Sequence, residues 1–302
     1  MSTDDILILS HHRKKSLKRC KFKSYLRYIR RKRKVSNDIN LIFGTAIHRT
    51  LEIYYRRQRD ISFNDLVQAF YLHMDIGTED TILLPKIETW KTIGFKILER
   101  YYSLTKEKEQ FQIIAVEVPF FLSISKVATI LLDSLKDNEI HHDAYFVLAG
   151  KVDLIIQVGQ DVYFVDHKTT TQTQDRFMEQ FTIDEQLLDY SIYGNWFYGD
   201  KFKGVMINGI NKRIDGVDPP IFRDWFAFSE EEIHNALIGY LDIAQEYYIL
   251  NQAPHLMQTR TVEFDCNRCD FLDVSIAKRK GEDWERVLEL YYEDLDKMDW
   301  EE

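Results

Sequence analysis

The sequence has few of the residues that break a chain into pieces. Of 302 residues only 5 are proline and 12 glycine, and no Ser/Gly/Pro-rich stretch interrupts them, so no linker between independent domains is expected. Cysteine is scarce too, with Cys20, Cys266 and Cys269 alone. An odd number in a chain of this size argues against a disulfide framework and for a reducing compartment, so the cytoplasm of a cell or of a host is expected. No apolar run approaches the roughly 18 to 20 residues that span a bilayer, and the opening MSTDDILILSHHRKK lacks the basic stretch ahead of an apolar one that a secretion signal needs. No membrane role is expected. A repeat of fixed period is absent, and so is a G-x-x-x-x-G-K-[ST] phosphate loop, which makes any nucleotide-driven motor a separate chain.

What is present is material for a core: 45% hydrophobic and 14% aromatic residues, which excludes disorder, collagen and a disulfide miniprotein. Forty Lys and Arg stand against 49 Asp and Glu, a net charge of −9, which would argue against a nucleic-acid partner if the charge were evenly spread. It is segregated instead. Every charged residue from His11 to Lys34 is basic, whereas Gly281 to Glu302 is mostly acidic. Such separation of sign suggests an electrostatic footprint despite the acidic total.

Apolar periodicity predicts a helix over Ser16 to Arg33 with a basic outer face, and a second from Gly44 to about Arg59. Further amphipathic stretches lie at Phe63 to Met74, Lys86 to Tyr102, Ile183 to Phe197, Glu230 to Leu250 and Gly281 to Met298. Strand signals concentrate between them, at Gln112 to Leu122, Phe146 to Val158, Asp161 to Lys168 and Lys203 to Asn211, all rich in β-branched and aromatic residues. Helices on both sides of a strand cluster imply an α/β fold: a small, central mixed sheet flanked by helices, with helical N- and C-terminal extensions.

Gly159 and Gln160 are the natural two-residue loop of a hairpin, since glycine at the first loop position suits a type II′ turn. Cross-strand partners then have numbers summing to 319, which sets Asp153 opposite Asp166 with Cβ atoms about 4.5 to 5.5 Å apart. Lys168 shares their face, while Tyr163 and Val165 point the other way. Two carboxylates this close repel. A hard divalent ion such as Mg²⁺ or Mn²⁺ would offset the repulsion, and a nearby ammonium could orient its bound water. The spacing alone is equally compatible with a surface hairpin whose acids pair with Lys168.

The stretch AGKVDLIIQVGQDVYFVDHKTTT closely resembles the PD-(D/E)XK nuclease superfamily, in its RecB-like branch, which includes the RecB and AddB nuclease domains and the CRISPR-associated RecB-like exonucleases. Gly150 and Asp153 match the second motif of that branch; Asp166 and Lys168 match the (D/E)-x-K motif. FGTAIHRTLE matches the first motif and thereby assigns His48 as the third metal ligand beside Asp153 and Asp166. DEQLLDYSIY matches the Q-x-x-x-Y helix at Gln186 and Tyr190. Together the motifs run in the order of the family over Phe43 to Tyr193. The resemblance implies a restriction-endonuclease-like core and Mg²⁺ or Mn²⁺ as cofactor. Glu117, on the preceding strand, is left aside as an edge charge or a supporting acid.

SLKRCKFKSYLRYIRRKRK also resembles a segment near the start of many such nucleases. Phosphates call for Lys and Arg, so Arg27, Arg30, Arg31, Lys32 and Arg33 are expected to touch a DNA backbone, with Phe22, Tyr25 and Tyr28 mostly packing. In many members a cysteine of this segment joins three near the C-terminus around a four-iron four-sulfur cluster. Cys20, Cys266 and Cys269 fit three positions, but Ser275 stands where the fourth is expected, so a degenerate or lost cluster is the expectation.

The resemblance thus implies one nuclease domain over residues 1–302, with a basic helical segment at 1–35, the core with a helical insertion at 36–250, and a cysteine-containing, acidic helical segment at 251–302. Its expected activity is that of a metal-dependent DNA exonuclease or endonuclease, acting on single strands or duplex ends in repair, recombination, phage replication or CRISPR-related processing. Lys168 would position the nucleophile, and Gln186 and Tyr190 would contact the backbone or orient Lys168. The competing readings are a nucleic-acid-binding scaffold that has lost turnover, and a nuclease subunit working beside a separate helicase or recombination protein.

Overall fold

The computed structural model describes residues 6–34, 38–76, 84–106, 108–124, 127, 145–213, 220–259, 266–267 and 269–295. The chain gathers into two compact units, each assembled from separate stretches: the first from Met1–Ser36, Phe121–Gly150 and His234–Glu302, the second from Asn37–Phe120 and Lys151–Ile233.

In chain order, strand β1 (Ile6–Ser10), helices α1 (His11–Arg19) and α2 (Lys21–Ser24) and strand β2 (Lys32–Lys34) come first. Helices α3 (Ile39–Arg56), α4 (Phe63–Ile76) and α5 (Leu84–Thr105) lead to strand β3 (Gln112–Ser123) and the hairpin β4 (Tyr145–Val158) and β5 (Asp161–Thr170). Then follow α6 (Gln174–Glu179), α7 (Glu185–Tyr198), β6 (Phe202–Asn211) and β7 (Ile221–Phe226), and finally α8 (Glu230–Gln252), α9 (Leu272–Lys280), α10 (Trp284–Tyr291) and β8 (Tyr292–Asp294).

In the second unit β4 pairs antiparallel with β5, β5 parallel with β6, and β6 antiparallel with β7, while β3 also pairs with β4. This is the mixed sheet expected of the fold class. β6 is buried along nearly its whole length, as a strand must be when both its faces are covered. Helix α3 shows why the sequence folds onto this sheet: Phe43, Ala46, Ile47, Thr50, Leu51, Tyr54 and Tyr55 recur at three- and four-residue spacing and are all buried, joining Phe70, Leu98, Ile156, Val165 and Met206 in one core. Helix α7 packs on β5 and β6. It comes close because Gly194 has no side chain; a Cβ there would lie 2.4 Å from the Phe202 ring.

In the first unit β1 lies parallel to Tyr145–Ala149 of β4, and β2 pairs antiparallel with β8, Lys34 opposite Tyr292. The single helix expected over Ser16 to Arg33 is not formed. Cys20 takes an extended backbone (φ −158°, ψ 110°) between α1 and α2, Tyr25–Ile29 winds as a wider π turn, and Arg31 is left-handed at φ 54°. The strand pairing of Lys32–Lys34 competes with helix there and wins. The helix expected from Gly281 to Met298 is likewise shorter. It ends at Tyr291, and Tyr292–Asp294 turns to strand; residues 296–302 lie outside the described residues.

Candidate active site

The hairpin register is the one its two-residue turn dictates. Gly159 takes φ 63°, and pairing runs from Val158↔Asp161 to Leu154↔Val165. At the next step a side chain enters the backbone pattern: Asp153 Oδ2 accepts the His167 N–H at 2.8 Å. Both acids are buried, Asp153 at 8% and Asp166 at 1% exposure, so the alternative of a solvated surface hairpin does not hold.

Three of the singled-out residues meet on the carboxylate of a fourth, Asp166. Asp166 Oδ1 accepts from Lys168 Nζ at 3.0 Å, Tyr190 Oη at 3.4 Å and Gln186 Nε2 at 3.5 Å. Gln186 Nε2 also donates to Tyr190 Oη at 2.9 Å, and Gln186 Oε1 accepts from Lys168 Nζ at 3.3 Å. One helical turn separates Gln186 from Tyr190, so both reach the same side. The helix start that places them is fixed by Asp184, whose carboxylate caps the Gln186 N–H at 2.8 Å. His48, from α3, brings Nδ1 to 3.4 Å from Asp153 Oδ2.

The electrostatics follow from burial and from like charge. Burial, then the neighbouring Asp166, push the Asp153 carboxyl up to about 7. Burial pulls on the Lys168 ammonium, but Asp166 and Asp153 outweigh it and hold the group above the ordinary lysine value. His48 is lowered by burial and then by Lys168, which keeps its imidazole neutral and able to act as a ligand. Burial and the two acids raise the Tyr190 phenol well above its usual range, so it stays a donor at neutral pH.

Sequence reasoning left out two features. Glu117 holds φ 54° within β3 and pairs with Lys151 at 2.6 Å; its carboxyl is raised by burial and then by Asp153. A strand acid close to Pro119 was the available signal. The other is a buried polar network behind Asp166. Arg223 Nε donates to Asn208 Oδ1 at 2.8 Å, and since Arg can only donate this orients the amide, turning Asn208 Nδ2 toward Tyr101 Oη at 3.0 Å and His167 Nδ1 at 2.9 Å. His167 is therefore the Nε2–H tautomer, and burial holds it neutral. Glu109 closes the network with Arg59 at 3.1 Å, with Arg223, and with Tyr55 at 3.2 Å. The Tyr55 ring stacks on His167 at 5.5 Å. A histidine inside a D-x-K triplet was the only hint of this.

The donor set suits a hard divalent ion, with two carboxylates and a neutral imidazole. Asp166 Oδ2 is buried and, though 2.7 Å from Lys168 Nζ, makes no hydrogen bond of its own. Among the described residues no three His, Cys, Asp or Glu side chains already stand in an ion-holding arrangement. His48 and Asp153 face each other instead at 3.4 Å.

The family model of the PD-(D/E)XK nuclease superfamily matches residues 8–194. The chain belongs to this superfamily. The matched span contains His48, Asp153, Asp166, Lys168, Gln186 and Tyr190, and membership implies a metal-dependent nuclease. Superfamily members typically use Mg²⁺ or Mn²⁺. No curated protein matches the chain. Among solved structures, "Crystal structure of SSO0001" is 10% identical, with 70% of this chain and 95% of that chain covered, at a TM-score of 0.29. No helix among the described residues is long and apolar enough to cross a membrane.

The remaining singled-out residues lie in the first unit. Arg30 pairs with Glu285 and Glu289, both at 3.2 Å. Lys32, only 6% exposed, pairs with Glu289 and with Asp294 at 3.0 Å, and Arg33 pairs with Glu293 at 2.5 Å. The Arg31 backbone carbonyl accepts the Leu295 N–H at 2.7 Å. The acidic and basic ends thus neutralise each other along β2 and β8. Arg27 lies on the wall of a pocket that Tyr28 also lines. Cys20, Cys266 and Cys269 are free thiols. Burial raises the Cys269 thiol, with Cys20 a smaller influence, and the Cys269 N–H donates to the Cys266 carbonyl at 3.2 Å. Ser275 lies within α9. Three thiols and a helical serine do not supply the four thiolates of a closed iron-sulfur site.

Proposed function

We propose that the chain is a deoxyribonuclease of the RecB-like branch, an exonuclease that hydrolyses phosphodiester bonds on single strands or duplex ends with Mg²⁺ or Mn²⁺. One observation carries this reading: Lys168, Gln186 and Tyr190 converge on Asp166 beside a second buried acid. A nucleic-acid-binding scaffold has no need to hold two carboxylates out of water at the expense of stability.

His48, Asp153 and Asp166 would hold the ion. When bound, it supplies an activated water and charge neutralisation at the scissile phosphate. Lys168 holds its proton through its ion pair with Asp166 and so can steady the attacking oxygen or the phosphate as a cation. Tyr190, fixed by donating to the Lys151 carbonyl at 2.7 Å, and Gln186 set where Lys168 points. DNA repair, recombination, phage replication and CRISPR-related processing all use this chemistry, alone or beside a helicase.

The test is direct. End-labelled single- and double-stranded DNA is incubated with purified protein in Mg²⁺, Mn²⁺ or EDTA, and products are resolved by length. Stepwise shortening from an end, abolished by EDTA, is expected. Intact DNA under every condition would return the chain to the scaffold reading.

A further inference from the structure

The basic N-terminal segment divides its charge among three tasks. One group serves the fold. Arg13 lies over the Tyr28 and Tyr247 rings at 4.7 and 5.5 Å, and Lys14, fully buried, lies 3.3 Å from the Tyr240 ring centroid. A second group is ion-paired: Arg30 with Glu285, Lys32 with Glu289, Arg33 with Glu293 and Lys34 with Asp273. The third lines a pocket of about 320 Å³ in the first unit.

Its wall carries four cations from three successive elements: Lys15 and Arg19 of α1, Lys23 of α2 and Arg27 of the π turn. His12 joins them, and Asp270 is the one acid among the described lining residues, lying 3.8 Å from Lys23. Ser16 also lines the pocket. It is 8% exposed, and its hydroxyl has no hydrogen-bond partner among the described residues. A buried hydroxyl without a partner is an unmet demand for one, and on a wall of cations the complementary partner is an anionic oxygen.

We infer that this pocket, and not the Arg30 to Arg33 run, is the phosphate-binding site of the chain, taking consecutive backbone phosphates of a nucleic-acid strand. The inference rests on the nuclease reading for the identity of its ligand. Four cations supplied by three successive elements suit a row of phosphates better than one compact anion. Guanidinium groups grip phosphate through paired donors, and the Ser16 hydroxyl adds a neutral one.

The experiment measures binding of a dye-labelled single strand in EDTA, across a salt series, with cleavage assayed separately in Mg²⁺. Lys15→Ala/Arg19→Ala/Arg27→Ala should weaken binding at least tenfold and flatten the salt slope by roughly 2 units, since each lost phosphate contact on a single strand removes about 0.7. Arg30→Ala/Arg33→Ala should leave the slope in place. On the wild-type chain, lysine acylation read by mass spectrometry should show DNA protecting Lys15 and Lys23 but not the exposed Lys201, a result independent of whether the triple variant folds. An unchanged slope, or no protection at Lys15 and Lys23, in a protein that still cuts DNA would overturn the pocket while leaving the nuclease reading intact. Displacement of the strand by micromolar ATP would overturn it in favour of a free nucleotide. A wild-type chain that neither binds nor cuts DNA would remove the nuclease reading first and the inference with it.

Discussion

The Asp153 carboxylate holds the backbone N–H of His167 at 2.8 Å, and His167 is the residue between Asp166 and Lys168. One candidate ligand is thus tied to the strand that carries the other, and the His167 ring is pinned from behind by Asn208. The site is built as a unit, in which geometry and charge are set before any substrate arrives.

Asp166→Ala and Lys168→Ala should each lower cleavage by at least about a hundredfold while DNA affinity stays within a few fold, because phosphate binding is assigned elsewhere. Single-turnover cleavage and anisotropy on the same preparations separate the two effects. Full activity in either variant would move the chemistry to another place.

Asp153 makes stability depend on pH in a stated direction. Its folded value, about 7, lies above its ordinary value of 3.8, so between those limits the folded state binds more protons than the unfolded one. Stability from this group is complete at low pH and is lost as pH rises through the window. Asp153→Asn in EDTA should therefore be more stable than wild type at pH 8, by an amount on the order of a few kcal/mol, with the gain shrinking as pH falls toward 4. Denaturant melts at several pH values read this; a gain independent of pH would show that the carboxyl is not strained.

Gly194→Ala should destabilise the chain by about 1–3 kcal/mol, because the added methyl overlaps the Phe202 ring. Phe202→Ala, which costs stability on its own, should cost less in the Gly194→Ala background. Additive losses would mean that α7 does not press on β6 there.

Iron should be far from stoichiometric in protein purified without oxygen, since three thiols do not complete the cluster. Brown protein with about four irons per chain would show that another group closes the set.

Much of this was legible in the sequence. The hairpin register followed from a two-residue turn, and it alone predicted that Asp153 and Asp166 would share a face. The Gln186 and Tyr190 pair followed from the resemblance to the family's Q-x-x-x-Y helix, since helical spacing alone would equally have made them an interface pair. What could not be read were features created by tertiary competition. Lys32–Lys34 has a helical pattern but pairs with Tyr292–Asp294, a partner some 260 residues away. Glu117 could be read as an acid near the metal, a supporting acid or an edge charge, because its left-handed backbone leaves no mark in the spelling. Asn208 and Arg223 sit on strands whose pairing had to be known before they could be linked to His167.

The pairing of β2 with β8 also bears on how the chain is made. The second unit ends at Ile233, so a ribosome has released all of it while the partner of Lys32–Lys34 is still unsynthesised. Until Tyr292–Asp294 emerges, Lys32 and Arg33 lack Asp294 and Glu293, the acids with which they pair. During that interval the nascent chain offers these cations to any RNA nearby, the ribosome's own included. Closing so long a loop is slow relative to local folding, so a chaperone or an anionic surface that shields the first 34 residues would raise the yield of folded protein.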